Sequence, residues 1–174
     1  AIAKTINFGI IYGVSAFGLS QQTNLNRLES KELIDAYYST YPKLKHYMQN
    51  QIDFARENGY VATILGRRRY LKDINSANSF VRGGSERNAV NAPIQGSAAD
   101  IIKIAMINIH KKIISENWKS KMLLQVHDEL VFDVPKIESD KLKTMVKHEM
   151  ENAFQLKVPL IVDIGQGKHW LDAH

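Results

Sequence analysis

Apolar residues recur along most of this chain at intervals of three and four, the spacing of one helical face, and in a few short stretches they crowd together or alternate as strands do. Residues 2–12 predict a short apolar helix ended by Gly13, and Ser15 is placed to cap a small segment, SAFGLSQQT. From Ser30 a helical pattern puts Leu33, Ile34, Tyr37, Tyr38 and Tyr41 on one stripe. Pro42 breaks it and starts the next helix, which carries Leu44, Tyr47, Met48 and Ile52 and stops near Gly59. The stretch YVATILGRRRYLKDI predicts two short strands turning at Gly66, and the polar NSANSFVRGGSERN behind it predicts a boundary between lobes. A helix over 84–92 is expected to end at Pro93. A longer one runs from about Ser97, capped with Asp100, to Ser115, burying Ile101, Ala105, Ile109 and Ile113. Strands at 122–126 and 130–134, an amphipathic helix over about 139–154 and a last strand, LIVDI, complete an α+β set.

Composition narrows the class. The 174 residues include 23 Lys and Arg against 18 Asp and Glu, a net charge of +5, which favours an anionic partner. There is no cysteine, so disulfides and thiolate metal sites are excluded, in keeping with a reducing cytoplasm. No apolar run approaches the roughly 20 residues that span a bilayer, so no membrane partner is expected. The opening AIAKTINFGIIYG starts inside a helical pattern with neither Met nor cap, and we read the sequence as a piece of a longer polypeptide.

Three groups of residues carry candidate chemistry. His127, Asp128 and Glu129 lie side by side between two strand-like runs. A tight hairpin joined across them keeps the carboxylates out of the sheet's apolar faces and can present them to a hard cation such as Mg²⁺. A solvated turn is the plainer explanation. Lys4, Phe8 and Tyr12, spaced four apart, share one helical face and suit a ligand with phosphates at one end and a planar base or sugar at the other. A core stripe with a snorkelling lysine explains the same spacing. Arg87, Asn91 and Gln95 form a polar row whose long side chains can reach base edges in a minor groove, whose acceptors recur in every base pair. A solvated helix face is the commoner fate of such a row.

In order, AKTINFGIIYG, GRRRYL, ERNAVNAPIQGSAADIIK, QVHDELVFDVP and GQGKHWLDAH closely resemble the C-terminal part of family A DNA polymerases, the bacterial DNA polymerase I type. The resemblance covers essentially the whole chain. It implies a partial right-hand polymerase fold, with a mostly helical fingers portion over residues 1–85 and a palm portion with a small antiparallel sheet over residues 86–174. It implies a DNA-directed DNA polymerase of replication and repair, cytoplasmic, that extends primer-template DNA with deoxynucleoside triphosphates. By position, Lys4 matches the lysine that meets the incoming nucleotide's phosphates, Phe8 the aromatic against its sugar and base, and Tyr12 the tyrosine beside the nascent pair. Arg87, Asn91 and Gln95 match the row on duplex DNA near the primer end, His127 a primer-end contact, and Asp128 a catalytic, metal-binding aspartate. Glu129 is its acidic neighbour and a further metal-ligand candidate.

The resemblance also implies two Mg²⁺ ions in the intact enzyme. The family's other catalytic aspartate, in a DYSQIELR-like motif, has no counterpart here, so the full metal site is not in this sequence. The chain alone is therefore expected not to polymerise. The alternative is a non-catalytic nucleic-acid-binding module of the same fold. A metal-dependent hydrolase using His127 and Asp128 is disfavoured for want of a further ligand cluster.

Overall fold

The computed structural model describes residues 2–173 and divides into two compact units, one up to Gly96 and one from Ser97 onward. The boundary falls inside a long helix.

In the first unit, α1 (Ile2–Ile11) is followed by α2 (Ala16–Gln22), whose first turn is capped as expected, the Ser15 hydroxyl accepting from the Gly18 N–H at 3.0 Å. α3 (Arg27–Thr40) begins about a turn earlier than Ser30. The reason is a reciprocal cap: the Asn26 side chain accepts from the Leu28 and Glu29 amides, and the Glu29 carboxylate accepts from the Asn26 N–H at 2.7 Å. Ser30 lies instead fully buried within the helix. α4 (Pro42–Asn58) starts on its proline and stops at Gly59, whose φ of 77° only glycine adopts without strain.

The strands β1 (Tyr60–Ala62) and β2 (Arg68–Tyr70) then pair antiparallel, with a turn through Gly66 at φ 81°. Val61 points inward and, with Ala55, Leu71, Ile74, Ala89 and Ala92, forms the core of this unit.

The polar stretch expected to separate lobes is helical. Asn78 accepts from the Phe80 and Val81 amides and starts α5 (Ser79–Ser115), which runs through Pro93 without a break and merges the two helices expected on either side. An interior proline removes one rung of the ladder and crowds the carbonyl four residues back, at a cost of about 3 kcal/mol. Burial of Ala89, Val90 and Ala92 holds the turn just before it in helical form. Ser97 and Asp100 are accordingly mid-helix residues and not a cap, and Asp100 is buried.

In the second unit, the last turns of α5 pack Ala105 and Ile109 against Leu142 and Val146 of α6 (Ser139–Glu151), and Leu130 and Phe132 add to the same cluster. Leu130 and Phe132 belong to β4 (Glu129–Asp133), which pairs antiparallel with β3 (Lys121–Val126), the register shifting between Met122 and Leu124. A 3₁₀ turn over Lys136–Glu138 leads into α6. The Glu138 carboxylate accepts from the Lys119 and Ser120 amides and, at 2.6 Å, from the Ser120 hydroxyl, tying the start of β3 to the start of α6. Those bonds hold its carboxyl below the usual glutamate range, the Ser120 hydroxyl contributing most.

LIVDI is not a strand. Ile161 is exposed, and the Val162 N–H donates to the Glu151 carboxylate at 3.1 Å; among the described residues no strand pairs with it, so its ladder groups turn elsewhere. A short α7 (Trp170–Ala173) follows. The whole is α+β, mostly helical with two small antiparallel sheets, as the sequence implied.

Candidate nucleotide and nucleic-acid site

The face predicted on α1 is present. Lys4 and Phe8 project from it, with the Lys4 ammonium 5.8 Å from the centre of the Phe8 ring, a cation on an aromatic face. Tyr12 sits one residue past the helix, still held in its spiral by donating its N–H to the Phe8 carbonyl at 2.9 Å, and its ring centre is 6.0 Å from that of Phe8. Lys4 and Phe8 are exposed while Ile10, on the other side, is fully buried. Lys4 and Phe8 therefore face outward, which a core stripe does not explain, while Tyr12 is half-buried.

Gly13 connects this face to the polar row. Its φ of 77° turns the chain out of α1, and a Cβ built there lies 3.6 Å from Cγ of Arg87. Within α5, the Arg87 guanidinium approaches Gly83 and Gly84, where the missing side chains leave it room. Arg87 and Gln95 are exposed. Asn91 is half-buried, and its side-chain oxygen finds no donor among the described residues. Gln95 borders a small cavity of about 90 Å³ with Thr63, Arg67 and Gly96.

Sequence reasoning singled out Gln95 but not what holds it. Arg67 donates to the Gly96 carbonyl at 3.0 Å, and a Cβ on Gly96 would come within 2.5 Å of the Thr63 methyl. The clue available in the sequence was the glycine directly after Gln95.

In the second unit the hairpin is tighter than one joined across three residues. His127 and Asp128 alone make the turn, and Glu129 is the first residue of β4, paired with Val126 and half-buried. His127 has φ 54°, the left-handed region that two-residue hairpins need at their first turn position. The Gln125 amide donates to the His127 carbonyl at 2.7 Å and braces the turn. His127 and Asp128 are exposed, and the Asp128 carboxylate has no hydrogen bond or ion pair among the described residues. An exposed, unengaged carboxylate suits one ligand position on a hard cation. It does not make a whole centre: among the described residues no group of three or more His, Cys, Asp or Glu stands ready to hold a metal. A groove of this unit, about 620 Å³ and lined by Lys112, Glu116, Asp140, Lys141, Thr144, Met145 and His148, contains none of the predicted site residues.

The first unit thus carries an aromatic and cationic face and a polar row along a helix, and the second an exposed carboxylate on a hairpin tip. The family model described as DNA polymerase family A matches residues 1–172, and the chain belongs to that family. It is 51% identical over 170 residues to DNA polymerase I of Caldicellulosiruptor bescii and 52% identical over 171 residues to that of Streptococcus pneumoniae. In both cases 98% of this chain is covered and 20% of the relative, so the chain spans about a fifth of their length. Among solved structures, the polymerase domain of Pol1 from M. smegmatis, in complex with DNA primer-template and dNTP, matches with a TM-score of 0.95 and 45% identity, covering 99% of this chain and 30% of that one.

Proposed function

We propose that this chain is the fingers and late-palm part of a DNA-directed DNA polymerase that extends a primer on a template from deoxynucleoside triphosphates, in cytoplasmic replication and repair. The observation that carries the proposal is the family match over residues 1–172 together with the free carboxylate of Asp128 on its two-residue turn. Fingers over residues 1–85 and palm from residue 86 remain the assignment we favour, with α5 passing from one to the other.

Each residue has a role its chemistry suits. The Lys4 ammonium draws the triphosphate of the incoming nucleotide and offsets its charge as it binds. Phe8 offers an apolar face to the sugar and base, and Tyr12 a second ring beside the new pair. Phe8 has no hydroxyl to replace a missing 3′-hydroxyl on the nucleotide, so dideoxynucleotides are poor substrates. Arg87, Asn91 and Gln95 donate hydrogen bonds to minor-groove acceptors, reading duplex geometry and not sequence, and His127 meets the primer end. Asp128, with Glu129 as a further candidate, would supply carboxylate ligands to Mg²⁺. The paired ions of such sites lower the pKa of an attacking hydroxyl and stabilise the leaving oxygens.

A narrower reading concerns this chain by itself, which spans about a fifth of the relatives it matches: residues 1–174 alone bind nucleic acid without catalysing synthesis. Primer extension tests both statements. The full-length polypeptide should extend a primer in a template-dependent, Mg²⁺-dependent manner and residues 1–174 alone should not. Synthesis by the short chain would contradict that narrower reading, and none by the full-length protein would contradict the polymerase assignment.

A further inference from the structure

We propose that the outward face of the β1–β2 hairpin, with Phe54 of α4 beside it, is a stacking platform for unpaired bases of single-stranded DNA. The proposal rests on the polymerase reading for the kind of polymer that reaches it, and on the geometry for the rest.

Strand alternation divides the hairpin into two faces. Val61 is 1% exposed on the core side, and Arg69, its partner across the pair, donates to the Asn88 side chain of α5 at 3.3 Å. The other face holds Tyr60, Ala62, Arg68 and Tyr70, with the two tyrosines directly opposite each other. Their ring centres are 5.8 Å apart, and the Phe54 ring meets Tyr60 edge-on at 5.6 Å, so three rings run in a row. Tyr70 is 67% exposed and Phe54 42% exposed, and the Arg68 guanidinium lies 4.5 Å over the Tyr60 ring.

The charge around these rings identifies the occupant. Arg67 and Arg69 are turned to α5, where they donate to the Gly96 carbonyl and the Asn88 side chain, so the cation on the ring face is Arg68, and between Tyr60 and Lys72 the chain has no Asp or Glu. Asp53, the acid next to Phe54, is already engaged by Gln49 at 2.9 Å and Arg56 at 3.6 Å. An apolar protein surface laid over this face would have to strip water from the Arg68 guanidinium with nothing to replace it. A single DNA strand has no such conflict: bases stack on the exposed rings of Phe54 and Tyr70 while a phosphate between them pairs with the Arg68 guanidinium. Because every base has a π-face, such a platform tolerates any sequence, as a template strand ahead of synthesis requires.

The test is binding of the full-length protein to two fluorescein-labelled DNAs with the same duplex, one blunt and one with a single-stranded 5′ template extension of about ten nucleotides, a length typical of such sites. Fluorescence anisotropy should show the double variant Phe54→Ala/Tyr70→Ala binding the extended DNA roughly tenfold more weakly than wild type, a loss typical of removing base-stacking rings. The blunt duplex should bind equally to both proteins, and Tyr70→Phe should behave as wild type because the ring face, not the hydroxyl, does the stacking. Unchanged affinity for the extended DNA overturns the proposal. So does an equal loss on both DNAs with a lowered melting temperature, which would assign the ring face to packing against another part of the polypeptide. Primer extension by the wild-type protein separates the levels: an active polymerase indifferent to the double substitution sinks the platform alone, and an inactive one sinks the reading beneath it.

Discussion

The Gln125 side chain donates to the backbone carbonyl of His127, 2.7 Å away, so the end of one strand braces the turn that carries Asp128. That turn depends on a residue with φ 54° that is not glycine. A branched side chain at such a φ crowds the following carbonyl, at a cost of about 1–2 kcal/mol. His127→Val should therefore lower stability by about that much in urea denaturation, while His127→Gly and His127→Asn leave it near wild type. If His127→Gly retains stability but loses affinity for a primer terminus, the imidazole is a contact and not a prop.

The second expectation concerns the approach of β1 to α5. A Cβ on Gly96 would lie 2.5 Å from the Thr63 methyl, far inside contact distance. Gly96→Ala should destabilise by about 1–3 kcal/mol, the usual cost of overpacking. Removing the methyl that it meets, in Gly96→Ala/Thr63→Ser, should recover most of the loss and keep the hydroxyl that accepts from the Arg67 N–H. A double-mutant cycle with no coupling would mean the strand and helix are not held this closely.

Glu138 makes stability depend on acid. Its carboxyl is held below the usual range by the bonds it accepts from the Ser120 hydroxyl and the Lys119 and Ser120 amides. A depressed pKa means that the folded state favours the ionised form. Its contribution is complete at pH values above the ordinary glutamate pKa and is lost as pH falls through the lowered one. Thermal melts of Glu138→Gln and wild type should differ most near neutrality and converge in acid. A difference that stays constant down to the acid limit would show that the charge of Glu138 contributes nothing.

Local signals were legible wherever the responsible groups were close in sequence. Ser15 at its cap, Pro42 at a helix start, Gly59 and Gly66 in left-handed turns and the α1 face of Lys4, Phe8 and Tyr12 all follow from spacing and residue type. What sequence did not show depends on distant partners. The polar segment after Ser76 reads as a linker until Ala89 and Ala92 are seen packed against Ala55, Val61 and Leu71, and Pro93 reads as a stop until that packing holds the helix through it. Ser30 has the composition of a cap, but the capping box from Asn26 to Glu29 takes the role. LIVDI has a strand's composition, but composition does not supply a neighbouring strand. Of the candidate site, the exposed face shared by Lys4 and Phe8 was legible; that Glu129 belongs to β4 and not to the turn was not, because a two-residue and a three-residue connection differ only in pairing.

The account depends most on Asp128 being a working carboxylate with no structural duty. Single-nucleotide incorporation by the full-length protein, wild type against Asp128→Asn, measures this directly, with a thermal melt of each as control. Loss of a metal ligand removes several kcal/mol of transition-state stabilisation, so the rate should fall at least about a hundredfold. The melting temperature should not move, since the carboxylate has no partner among the described residues. An Asp128→Asn protein that incorporates nucleotide at the wild-type rate, or whose loss of activity follows a loss of fold, would contradict the account.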